Sequence, residues 1–306
     1  MWLMLSGGEF FLRRDWERIL EIARDLRFAV NLETNATLID GYVANAMERN
    51  PRLSVHVSFY GSSPEIHDAV TGVPGSLKRT ILGVQRLTER GVKVRSSICV
   101  TRMNRRDLKD ILEMCMELGA PPTVDMGIRA GLDGARRALQ LRLGLAEMED
   151  VYRECAEMGA KAVGLSEGCV EHAVAGERFC GAGRTVLAVN ADGQVWPCVA
   201  FPRPIGDLRQ CSLKEMIMGS AFLEKLRNVR VVDAPVCGKC DTRASCPRCL
   251  GDAFSRTGDL LACLPDMCEV ATAARRVGAK LVEKSPESPK EKQHRKALTR
   301  KGGGLV

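Results

Sequence analysis

Aromatic side chains are scarce in this chain of 306 residues: three Trp, three Tyr and eight Phe, 5% in all. Recognition of single-stranded nucleic acid relies on aromatic faces for base stacking, so that class has little to build on here. The formal charge of +7 does not reverse the point, because of where it sits. Between Glu283 and Val306, seven Lys or Arg stand against three Glu, which puts +4 of the charge in the terminal segment. The rest carries about +3 and no RNA-reading motif, so no nucleic-acid partner is expected. Long apolar runs are missing as well. The opening Met1-Trp-Leu-Met-Leu5 stops at Ser6-Gly-Gly-Glu9, too short for a signal-peptide core or a bilayer span, and no membrane contact is expected. Histidine is sparse: His56, His67, His172 and His294 are scattered, and none is assigned to chemistry.

Cysteine is abundant, with thirteen, but none precedes Cys99. Without a secretory signal, that number fits a reducing cytoplasm and metal ligation rather than a disulfide scaffold. Cys99, Cys115, Cys155 and Cys169 carry no metal-ligand spacing; Cys115 and Cys155 fall on the apolar stripes of predicted helices and read as core. The others concentrate late in the chain. In Cys237-Gly-Lys-Cys240-Asp-Thr-Arg-Ala-Ser-Cys246-Pro-Arg-Cys249, each Cys-x-x-Cys turn can aim two sulfurs at one centre, and Cys263 and Cys268 follow. Zinc ribbons usually hold their pairs about 15–20 residues apart, whereas only Asp241 to Ser245 intervene here, so iron–sulfur ligation stands at least level with zinc. Upstream, Val186–Val189 and Gln194–Trp196 read as strands about the turn Asn190-Ala-Asp-Gly193, a hairpin that brings Cys180 near Cys198.

The order Cys-x12-Gly-x4-Cys, Cys-x2-Cys-x5-Cys-x2-Cys, Cys resembles the seven-cysteine SPASM domain of many radical S-adenosylmethionine (SAM) enzymes, with one departure: the last inner gap is two residues, Pro247-Arg248, where three are usual. The resemblance implies two auxiliary [4Fe–4S] clusters. Cys180, Cys198 and Cys249 would hold the first, and Cys237, Cys240, Cys246 and Cys268 the second, with Cys263 a spare thiol.

Ahead of this region, short apolar runs alternate with helical stripes. Strands are predicted at 1–5, 28–31, 53–59, 92–100 and 124–128, and helices at 15–26, 38–50, 77–90, 106–118 and 146–158. Such alternation means a parallel α/β sheet with its functional face at the strand carboxyl ends. With the resemblance, the fold implied is a partial (β/α) barrel at 1–165 and a SPASM domain at 166–275, followed by a basic, disordered tail at 276–306.

At the end of the first strand, Gly7-Gly8-Glu9 resembles the radical SAM motif that receives the methionine amino group of SAM, with Phe10 in place of the usual Pro. Val57-Ser-Phe-Tyr-Gly61 with the segment from Glu65 to Leu77 resembles a barrel strand of the same family and marks Ser58 as a SAM contact; Asn104 is a weaker match beyond the next strand. No three cysteines have the Cys-x3-Cys-x2-Cys spacing of the cluster that cleaves SAM. The resemblance places that loop ahead of Met1. An internal start codon, a broken gene and a separate chain are the explanations, in that order.

The family implies a maturase that abstracts hydrogen from a peptide or protein, supplied with electrons by a flavodoxin or ferredoxin. Val199 stands where sulfatase-maturing relatives carry an Asp, which disfavours that subclass. The alternative is a non-catalytic iron–sulfur or zinc-binding subunit.

Overall fold

The computed structural model describes residues 1–131, 135–163 and 178–284. Cys169, His172 and the division expected at 165/166 lie outside them, as does the chain beyond Lys284.

The first half is a run of strand–helix units: β1 (Trp2–Leu5), α1 (Trp16–Asp25), β2 (Ala29–Thr34), α2 (Gly41–Glu48), β3 (Leu53–Phe59), α3 (Pro64–Thr71), α4 (Ser76–Thr88), β4 (Lys93–Cys99), α5 (Leu108–Glu117), β5 (Pro122–Asp125), α6 (Leu145–Glu157) and β6 (Lys161–Ala162). The six strands pair in sequence order, every pair parallel. Parallel neighbours need a crossover, and helices supply all five, α3 and α4 together forming the one between β3 and β4. Burial alternates residue by residue. Along β3, Leu53, Val55, Val57 and Phe59 are buried, whereas Ser54, His56 and Ser58 lie on the less covered face. Register places Glu33, His56 and Arg95 in one row of that face and Ser58, Ser97 and Thr123 in the next. The open face of this partial barrel is polar.

The second half has little regular structure. Its sheet is β7 (Ala188–Val189), β8 (Gln194–Trp196) and β9 (Gly206–Asp207), all antiparallel. The expected hairpin is present: Asn190 Oδ1 accepts from the N–H groups of Asp192 and Gln194, and Gly193 takes the turn at φ +79. Helices α7 (Leu213–Gly219), α8 (Ala221–Asn228), α9 (Leu250–Thr257) and α10 (Pro265–Lys284) follow. Among the described residues no helix is long and apolar enough to cross a membrane.

Helix α10 corrects the expected start of the tail at 276. Val270, Ala273, Ala274 and Val277 form one stripe buried in the core of the partial barrel, so apolar periodicity carries the helix through Arg275 and Arg276 despite their charge. The expected cores at Cys115 and Cys155 are also found. Both side chains are fully buried, and desolvation pushes their thiols up to about 11 and about 12.

Candidate active site and cluster centres

The loop after β1 needs glycine at its first step: Gly7 has φ +152, a conformation that L side chains rarely adopt. Glu9 then caps a short turn, its Oε1 accepting from the Phe11 N–H at 3.3 Å. Both carboxylate oxygens accept from the Thr34 hydroxyl, at 2.8 and 2.9 Å, and Oε2 also accepts from the Asn35 N–H at 3.0 Å. Three donors thus hold a group with about four acceptor sites. Among the described residues no Lys, Arg or His forms an ion pair with it. A fixed, uncompensated carboxylate at the carboxyl edge of a parallel sheet suits an amine ligand.

Thr34 and Asn35 were not singled out by sequence reasoning. The available signal was a polar pair directly after the apolar run of β2. Their loop is braced from behind. Thr80 Oγ1 donates to the Asn35 carbonyl at 2.8 Å, and Ala36, at φ +60, packs on Gly83 of α4 so closely that a methyl there would overlap the Ala36 carbonyl oxygen. Gly83→Ala should lower stability by about 1–3 kcal/mol, read as a lower urea midpoint at unchanged m value, because backbone rather than a flexible side chain must give way.

Ser58 lies one residue before the end of β3, paired in register with Ser97, and β2 separates it from the strand that leads to Glu9. Asn104 has a different duty. It is buried, its Nδ2 donates to the carbonyls of Tyr60 and Cys99, and its Oδ1 accepts from the Thr101 N–H at 2.8 Å, so it knits the ends of β3 and β4.

The late cysteines fall into two groups. The Cys180 and Cys198 thiols are raised, by burial first and then by the charge of the neighbouring Cys249. The Cys237, Cys246 and Cys268 thiols are likewise raised, by burial first and then by neighbouring cysteine charges, and Cys263 brings its Sγ to 3.5 Å from that of Cys268. The supposed spare thiol therefore lies beside a residue that the family pattern assigns to the second cluster. Among the described residues no three His, Cys, Asp or Glu groups converge as ligands of a single metal ion. Burial pushes Cys198 and Cys246 up to about 11, and metal binding would displace those protons.

Two positive observations fit an anionic cluster near these thiols. Backbone N–H groups are directed at sulfur in the first group, from Ala182 to Cys180, Ala200 to Cys198 and Asp252 to Cys249, the donors that thiolate ligands require. In the second region, Arg243 Nε and Arg248 Nε and Nη1 are buried without a partner. Buried guanidinium donors call for an acceptor of opposite charge.

Residues 3–115 match the family profile of the radical SAM superfamily, and residues 180–249 match that of SPASM, an iron–sulfur cluster-binding domain, which favours iron–sulfur over zinc. An AdoMet-dependent heme synthase of Methanosarcina barkeri is 26% identical over 290 residues, covering 85% of this chain and 80% of that protein. The mycofactocin maturase MftC of Mycobacterium tuberculosis is 25% identical over 256 residues, 79% of this chain and 64% of that one. Among solved structures, SuiB of Streptococcus suis bound to SAM superposes with a TM-score of 0.64 at 16% identity, over 87% of this chain and 65% of its own. The anSMEcpe structure with bound AdoMet and a peptide gives 0.64 at 16%, over 92% and 84%. The chain belongs to the radical SAM superfamily, in the branch that carries a SPASM iron–sulfur cluster-binding domain.

Proposed function

We propose that this chain provides the substrate- and SAM-facing part of a radical SAM/SPASM enzyme that modifies a peptide or protein. The observation that carries the reading is Glu9, held by Thr34, Asn35 and the Phe11 N–H at the strand edge with no cationic partner among the described residues. In this reading Glu9 accepts the amino group of SAM, Gly7 and Gly8 let the ligand approach the backbone, and Ser58 offers a hydroxyl to its polar end. The polar rows of β2 to β5 then face the substrate. Cys180, Cys198 and Cys249 hold one auxiliary cluster, and Cys237, Cys240, Cys246 and Cys268 the other. Bound clusters would supply one-electron chemistry, fed by a flavodoxin- or ferredoxin-type reductant, and a reducing cytoplasm suits so many thiols. None of the thirteen cysteines has the spacing of the SAM-cleaving loop, so the ligands for that iron are assigned to none of them.

The peptide substrate is supported by the maturases MftC and SkfB and by SuiB bound to its precursor peptide. A second reading has its own support: the heme synthases align over more of their length than the maturases do, 80% against 64%, which points to a tetrapyrrole substrate. Titration with hemin, followed in its Soret band, separates the two, since a peptide-specific site leaves that band unmoved.

The cluster assignment is tested by metal analysis after anaerobic reconstitution. Two [4Fe–4S] clusters give about eight iron and eight sulfide per chain, while structural zinc gives one or two zinc and no sulfide, roughly. The second result would leave a non-catalytic zinc-stabilised subunit as the better account.

A further inference from the structure

Arg248 sits between Cys246 and Cys249, so the backbone alone places it between the two thiol groups. Its side chain turns inward. Nη2 donates to the Leu260 carbonyl at 2.8 Å, and the guanidinium carbon lies 4.6 Å from the centroid of the Phe179 ring, next in sequence to Cys180. Nε and Nη1 are buried and have no partner. The guanidinium also approaches the Cys237 thiol of the second group. A buried cation with two idle donors, stacked on an aromatic ring and beside a cysteine thiol, is a costly arrangement unless an anion completes it.

We propose that Arg248 donates to the sulfurs of the second auxiliary cluster and holds that cluster's reduction potential above the value its four thiolates alone would set. Reduction adds one negative charge to a cluster that is already anionic. A fixed cation and N–H donors at the sulfurs stabilise the reduced state more than the oxidised one, and low local dielectric enlarges the difference. Because the guanidinium reaches the second group while its ring contact belongs to the flank of the first, its effect is unequal. Arg248 thereby separates the potentials of two clusters built from similar ligands. The inference rests on the cluster reading above.

The test uses the reconstituted full chain, with Arg248→Met and Arg248→Lys, and reads iron per chain together with midpoint potentials from an EPR-monitored redox titration. Cys246→Ala, lacking the second cluster, identifies which signal belongs to it. The expected result is wild-type iron content with the second midpoint shifted to lower potential in R248M, less so in R248K, and the first midpoint shifted least. Unchanged midpoints at full iron content would overturn the proposal. If R248M loses the second cluster, R248K decides: a lowered midpoint at full iron supports the role, and an unmoved one refutes it. Absence of iron from the wild type defeats the cluster reading itself, and this inference with it.

Discussion

Alanine at Cys246 should remove about four of about eight iron atoms per chain and weaken the carboxyl-terminal half. Cys246 is one of the four thiols assigned to the second cluster, and burial pushes it up to about 11. It also packs against a core of only three buried residues, Ala253, Leu264 and Met267. The segment around it is two short turns, Cys237–Lys239 and Arg243–Ser245, with no strand to brace them. So small a core cannot order such a loop by burial alone, and ligation must do so; in small metal domains the bound metal contributes on the order of 10 kcal/mol. Iron and sulfide assays with circular dichroism melting would show both losses together. Cys115→Ala is the control: its thiol belongs to the helix core of the barrel, and iron should stay at the wild-type level. Unchanged iron and melting in C246A would show that the second group is not a cluster site.

The cysteine groups were legible in the sequence because their spacing is itself the signal, and β3 was legible from Leu53 to Phe59 because strict alternation fills its length. Helix α3 was not. It spans Pro64–Thr71 with His67 as its sole buried residue, and it is defined by its ends: Pro at the first turn and Gly72 at φ +69 after the last. Strands β6 and β9 have two residues each, too few to carry any period. In the site, Glu9 was legible from its glycines, while Thr34, 25 residues away, gained meaning only when parallel pairing of β1 and β2 set it at hydrogen-bond distance. Arg248 likewise reads as one more surface cation until the fold turns it inward. Cys263 was set aside as spare for a related reason. Spacing ranks ligands along the chain, and its 3.5 Å approach to Cys268 depends on the turn leading into α10.

That turn also ties the two halves together, and Asp266→Ala should show how strongly. Asp266, 8% exposed, takes Arg142 at 3.0 Å from the segment before α6 and Arg256 at 2.8 Å from α9. Burial alone would raise its carboxyl, but the Arg256 hydrogen bonds and the two guanidinium charges outweigh that and hold it below the usual range. Alanine leaves two mostly buried cations facing each other. Arg142 can least tolerate this, since its Nε and Nη2 already lack partners, and Arg256 keeps only a 3.5 Å approach to Asp252. Removing one member of a buried charge cluster costs about 3–5 kcal/mol, well above the worth of the exposed pair Arg275–Asp241 near the same interface. Urea unfolding of D266A should lose that amount, and R275A about 1 kcal/mol or less. Iron content in D266A should stay at the wild-type level, because Asp266 holds the halves together without ligating metal. A loss of iron equal to that of C246A would instead place Asp266 in the cluster's own support, and the docking role argued from Arg142 would fall.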